Sequence, residues 1–69
     1  MIFTLKTGRK IEKPAQFCVA TKACGRWNHQ FYKSWQGARN EYKSVKSHLN
    51  NPDMVAYYGL EDVSFLKGE

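Results

Sequence analysis

The sequence has few of the features that mark membrane and exported proteins. None of its apolar runs approaches the length of a transmembrane helix, and its first ten residues have neither the apolar block nor the small-residue cleavage site of a secretory signal. Only two cysteines occur in 69 residues. We therefore expect a cytoplasmic protein without a membrane partner, whose cysteines stay reduced.

Signatures of catalysis and metal binding are also missing. The four residues of the kind that bind zinc are separated by five, four and eighteen intervening residues, which matches no standard zinc pattern: Cys18, Cys24, His29 and His48. No phosphate-binding loop or dinucleotide fingerprint occurs either. We expect no metal, no cofactor, no small-molecule substrate and no enzymatic activity, with Cys18 as a small buried apolar residue. A small metal-dependent or cysteine-dependent enzyme is the less favoured alternative.

Acidic residues are scarce over most of the chain. Residues 1–50 hold ten of the eleven lysines and arginines but only two carboxylates, a net charge of +8, whereas residues 51–69 have a net charge of −3. This basic part of the chain, residues 1–50, favours a negatively charged partner, either nucleic acid or an acidic protein surface. The alternative interpretation is that the excess charge only keeps a small protein soluble.

Core-forming residues, by contrast, are plentiful. Hydrophobic residues make up 42% of the chain and aromatic residues 14%, which is too much for a disordered protein. A chain of this length forms one domain, here residues 1–69, and has little room for a large internal cavity.

The stretch 34–50 has the clearest helical pattern. Its apolar residues recur every three or four positions, which places them on one stripe of an α-helix: Trp35, Ala38, Tyr42, Val45 and Leu49. Ser34 is suited to cap the first turn, and Pro52 restricts Asn51 to extended conformations that end the helix. We predict an amphipathic helix over about residues 35–49, with its apolar stripe buried.

Alternating and β-branched segments predict strands on both sides of this helix. The predicted strands cover residues 2–6, 10–13, 16–22, 27–33, 54–58 and 63–66. Gly8 and Gly25 supply the turns of two hairpins, and Gly59 separates the last two strands, although residues 60–66 also suit a helical turn. One helix cannot bury its stripe alone. We therefore predict an α+β fold, a small two-layer domain in which an antiparallel sheet packs against one helix.

Aromatic rings are interleaved with cations and amides in the segment 26–35. Rings stack on unpaired bases while cations and amides meet phosphates and base edges, although the same composition suits a hairpin packed on a small core. Trp27 and Phe31 share one face of the strand, which we predict to face the helix, so that Asn28, Gln30 and Tyr32 point outward. The residues that we assign to a ligand are this outward set together with Arg26 and Lys33.

Two further basic groups complete the predicted site. Arg39, Lys43 and Lys46 fall on one flank of the helix, where neighbouring like charges repel each other and a negatively charged partner would relieve the repulsion. Arg9 and Lys10 lie in the first hairpin loop. We predict that these residues and Arg26 act together as one surface.

The leading hypothesis for function is a non-enzymatic domain that binds RNA or DNA mainly through backbone and stacking contacts. No helix-turn-helix, zinc-finger or RNP pattern is present to read a base sequence. The alternative is a small inhibitor or adaptor that docks on an acidic surface of a larger protein.

Overall fold

A computed structural model describes all residues, 1–69, and contains five strands and two helices. In chain order these are β1 (Ile2–Thr4), β2 (Lys10–Glu12), β3 (Phe17–Ala23), β4 (Arg26–Tyr32), α1 (Trp35–Leu49), α2 (Pro52–Tyr58) and β5 (Leu60–Lys67). The strands pair antiparallel in two sheets, a β1-β2 hairpin and a three-stranded sheet in the order β4-β3-β5. The predicted α+β class is confirmed. Neither helix is long and apolar enough to cross a membrane.

Residues with positive backbone φ angles occur in both predicted hairpin turns. Cys24 and Gly25 have φ of 53° and 76° and form the two-residue turn between β3 and β4, where Ala23 pairs with Arg26. Two positive φ values in succession match the twist of the flanking strands. Gly8, with a φ of 93°, lies in the loop between β1 and β2.

The ends of α1 follow from the capping residues that the sequence suggests. Ser34 has an extended backbone, and its hydroxyl accepts a hydrogen bond from the Gly37 amide at 3.2 Å. The helix ends at Leu49, and Asn51 returns to an extended conformation before the proline.

The structure corrects the prediction of a strand over residues 54–58, because this segment belongs to α2. Asn51 caps this helix by accepting from the Asp53 amide at 3.1 Å, Pro52 occupies its first turn, and Gly59 ends it in the left-handed region at φ 64°. These end signals outweigh the β-propensity of the segment between them. The strand that follows, β5, pairs along β3, so the acidic C-terminal part of the chain folds back onto the basic body.

One face of the three-stranded sheet packs against α1. Val19, Val63 and Ala38 are buried there, and Tyr42, Val45 and Leu49 of the helix are half-buried around them. The predicted helical stripe therefore does contact the sheet. Its first member does not follow the prediction, because Trp35 lies at the rim of the contact and remains 53% exposed.

The opposite face packs against the β1-β2 hairpin. Phe3, Ala15 and Cys18 are buried there, and the Phe3 ring meets the Phe31 ring edge to face with 5.2 Å between centroids. The prediction that Trp27 and Phe31 face the helix is wrong, since Phe31 pairs with Cys18 on the hairpin side.

The same register gives Tyr32 a different position from the one that the sequence predicts. It pairs with Phe17, whose side chain faces α1, and it is half-buried in the helix-side cluster rather than pointing outward. Burial and, second, the negative charge of Glu41 raise the pKa of the Tyr32 phenol above its ordinary value of 10.0.

Both faces of the sheet are covered, by α1 on one side and by the β1-β2 hairpin on the other. Strand alternation therefore separates the two sets of side chains without indicating which set the helix covers.

Candidate functional site

A concave groove lies between α1 and the edge strand β5. Its volume is about 470 Å³, and it is lined by three aromatic and three cationic side chains: Trp35, Arg39, Tyr42, Lys43, Lys46 and Phe65. We call this site the α1 groove. A cavity of this size is within the range that small ligands and single chemical groups of larger ligands occupy.

The aromatic part of the α1 groove is organised around Phe65. The centroid of its ring lies 5.2 Å from that of Trp35, 6.0 Å from that of Tyr42 and 5.8 Å from that of Phe17. The contacts with Trp35 and Tyr42 are edge-to-face, an arrangement that is favourable beyond the area it buries. Packed neighbours thus fix the Trp35 ring, although 53% of its surface is open to a ligand.

The cationic part of the groove runs along α1. Arg39, Lys43 and Lys46 are exposed, and a rise of 1.5 Å per residue spreads them over about 10 Å of helix. None of them pairs with a carboxylate, because the chain has only two ion pairs, the amino terminus with Glu12 and Lys22 with Glu61.

Two features keep these cations available to a ligand. Repulsion between Arg39 and Lys43, and between Lys43 and Lys46, costs a few tenths of a kcal/mol per pair and would be relieved by a bound anion. The Lys46 ammonium lies 5.5 Å from the centroid of the Tyr42 ring, where the ring attracts the cation without neutralising it. The site therefore presents positive charge beside open ring surface.

The structure brings together only part of the predicted site. Arg39, Lys43 and Lys46 line one groove. Arg9 and Lys10 belong to the β1-β2 hairpin, on the sheet face opposite α1. The structure therefore does not place Arg9 and Lys10 beside the α1 groove.

The remaining predicted residues lie outside the α1 groove. Arg26 begins β4 beside the hairpin turn, and Lys33 is exposed between β4 and α1. The Tyr32 side chain belongs to the half-buried helix-side cluster, where little of it is open to a ligand.

Three groove residues are not among the binding residues that the sequence predicts. The helical spacing predicts Trp35 and Tyr42 in the buried stripe, and alternation predicts Phe65 in a strand without a role in binding. One signal was present in the sequence, because Trp35 and Arg39 are four residues apart and so lie on the same side of a helix. Nothing in the sequence indicated that β5 would bring Phe65 beside them.

The histidines and cysteines do not assemble into a reactive cluster. Burial raises the pKa of the Cys18 thiol to about 11, whereas Cys24 is exposed in the turn between β3 and β4. His29 accepts a hydrogen bond at Nε2 from the Lys6 amide, 3.2 Å away. No group of three His, Cys, Asp or Glu side chains is close enough to hold a metal ion.

Comparisons with protein-family models, with curated proteins and with solved structures each found no match to the chain.

Proposed function

We propose that the chain is a non-enzymatic domain that binds nucleic acid in the α1 groove. The observation that supports this most strongly is the meeting of three unpaired cations with three aromatic rings in one concave site. Phosphates bind cations and unpaired bases stack on aromatic rings, so a single-stranded nucleic acid matches both parts of the site.

Each part of the groove has a distinct role in this proposal. Arg39, Lys43 and Lys46 follow the sugar-phosphate backbone, and each contact releases condensed counterions, which makes the affinity fall as salt rises. Trp35 offers its open ring to a base that is not paired. Ring stacking accepts any base, so we expect binding with little sequence preference.

The test is fluorescence anisotropy of a labelled single-stranded oligonucleotide across a salt series. Each phosphate contact contributes about 0.7 to the slope of log affinity against log salt for a single strand. The K43Q variant should therefore reduce the slope by about 0.7, and the triple variant R39Q/K43Q/K46Q by about 2. Exposed charges contribute little to folding, so the thermal stability of these variants should stay close to that of the parent.

K22Q is the matched control for K43Q. Both substitutions remove one positive charge, but Lys22 already pairs with Glu61, 3.4 Å away, and lies outside the groove. K22Q should leave the slope unchanged. If the parent protein does not bind at a salt concentration of about 50 mM, or if K22Q and K43Q weaken binding equally, the groove is not a nucleic-acid site.

A second candidate function is docking on an acidic segment of another protein. The observation that favours it is the free edge of β5, which has β3 as its only neighbour in the sheet. An extended peptide that paired with this edge would lie beside the α1 groove, where acidic side chains would meet Arg39, Lys43 and Lys46.

Purification separates the two candidates. A nucleic-acid-binding protein from a crude lysate should carry ultraviolet-absorbing nucleic acid that high salt removes, because salt weakens the phosphate contacts. A protein-binding module should elute without it. A pull-down with and without nuclease then tests whether a captured protein is held directly or through nucleic acid.

A further inference from the structure

A second basic surface lies on the β1-β2 hairpin. Four cations occur within eight residues of its sequence, and all are exposed: Lys6, Arg9, Lys10 and Lys13. We call them the hairpin surface. The Lys6 ammonium lies 5.3 Å from the centroid of the Trp27 ring, and that of Lys13 lies 5.3 Å from the centroid of the Phe31 ring, so two of the four cations are positioned against the sheet.

The positive charge of the hairpin surface is not cancelled by its own acidic residue. Glu12, the one carboxylate between residues 1 and 16, accepts a hydrogen bond from the amino-terminal ammonium at 2.9 Å. Phe3 and Ile11 pair in the hairpin and pack towards the sheet, so Lys10, the neighbour of Ile11, projects away from it. The loop end of the hairpin therefore presents cations to solvent.

The hairpin surface and the α1 groove lie on opposite sides of the three-stranded sheet. Hairpin residues pack on Cys18 and Phe31, whereas α1 packs on Val19 and Val63. Adjacent residues of a strand point to opposite faces, so the sheet separates the two packing clusters.

We infer that the protein binds two separate nucleic-acid segments, one on each side of its sheet, and so bridges them. This inference rests on the proposed function of the α1 groove and adds a second site. The two sites differ in chemistry. The groove offers the exposed Trp35 side chain, whereas Trp27 and Phe31 on the hairpin side are half-buried and each has a lysine ammonium 5.3 Å from its ring centroid. The hairpin surface should therefore contact phosphates alone and bind single strands and duplexes alike.

A bridging assay tests the inference. Two single-stranded oligonucleotides of about 10 nucleotides, within the range that one small domain covers, carry a donor and an acceptor dye and are mixed with the protein. The non-complementary sequences prevent direct pairing. The parent protein should bring the dyes together and produce energy transfer, and excess unlabelled oligonucleotide should abolish it.

Two variants of equal net charge serve as matched controls. R9Q/K10Q/K13Q removes three charges from the hairpin surface and R39Q/K43Q/K46Q removes three from the groove, so each lowers the formal charge from +5 to +2. Each variant should still bind one oligonucleotide per chain, measured by anisotropy, but should lose the energy transfer. Duplex probes should bind better to R39Q/K43Q/K46Q, which keeps the hairpin surface, than to R9Q/K10Q/K13Q, which keeps the groove.

Three outcomes would overturn the inference. If R9Q/K10Q/K13Q produced as much energy transfer as the parent protein, the hairpin surface would not be needed for bridging. A parent protein that binds one oligonucleotide without energy transfer would have a single site, which leaves the proposed function of the groove intact. Absence of binding by the parent at low salt would remove the proposed function, and the bridging inference with it.

Discussion

Replacement of Trp35 by alanine is the sharpest perturbation of the α1 groove. Trp35 is 53% exposed, yet its ring makes edge-to-face contacts with the rings of Phe17 and Phe65, whose centroids are 5.7 and 5.2 Å away. A residue in that position loses contact area on truncation but is not a main component of the core. W35A should therefore weaken both binding and folding, and its affinity is compared with that of the parent under conditions in which both proteins are folded.

The magnitude follows from stacking energies. Base stacking on an aromatic side chain is worth about 1 to 3 kcal/mol by alanine substitution, so W35A should weaken single-strand binding roughly 5- to 150-fold. Truncation of a fully buried tryptophan costs about 3 to 5 kcal/mol, and about half of that is expected for Trp35. Duplex binding should change by less than about twofold, because paired bases are not available to the ring.

The assay is anisotropy with single-stranded and duplex probes at one fixed salt concentration. W35F keeps a ring in the same place and should retain most of the affinity, which separates stacking from loss of volume. Circular dichroism of each variant verifies that it is folded under the conditions of the assay. A W35A protein that is folded and binds single strands within twofold of the parent would refute stacking at Trp35.

Three further predictions concern stability and reactivity. F3A should cost about 3 to 5 kcal/mol in urea denaturation, because Phe3 is fully buried beneath the hairpin. Burial lowers the pKa of His29 below 6.5, so the unfolded chain binds the proton more tightly than the folded protein does. The melting temperature should therefore be highest above about pH 6.5 and should fall as the pH decreases below that value. Protonation also removes the acceptor of the Lys6 amide. A thiol reagent at neutral pH should label exposed Cys24 rapidly and buried Cys18 only after unfolding, since the pKa of Cys18 is about 11.

Each of these predictions has a matched control. I2A changes the adjacent residue, which is 45% exposed, and should melt close to the parent, so equal losses from I2A and F3A would contradict the packing beneath the hairpin. An H29Q variant should lose the part of the pH dependence that comes from His29. Equal labelling rates for both thiols in the folded protein would contradict the burial of Cys18.

The sequence was sufficient to predict the elements whose signals are local. The stripe that ends at Leu49, the cap at Ser34 and the turn at Gly25 all depend on residues within a few positions of each other, and the structure has all three. The segment 54–58 was predicted wrongly because the β-propensity of its valine and tyrosines is local too. There the helix is set by its two ends, Asn51-Pro52 and Gly59.

Features that depend on long-range pairing could not be read from the sequence. Alternation separates Phe31 from Tyr32, but only the docking of the β1-β2 hairpin decides which of them faces the helix. The α1 groove depends in the same way on the pairing of Phe65 with Val19, which brings β5 beside the helix. The basic flank of α1 was predictable, whereas its aromatic partner on β5 was not.

Amide chemical-shift mapping tests most directly the claim that nucleic acid binds in the α1 groove. Titration of the isotope-labelled protein with a short single-stranded oligonucleotide should shift the amides around Trp35, Arg39, Lys43 and Phe65 progressively. The amides of Met54 to Tyr58 in α2, which lie outside both basic surfaces, should stay in place. Shifts that leave the groove residues unchanged, or no shifts at all at low salt, would contradict the claim.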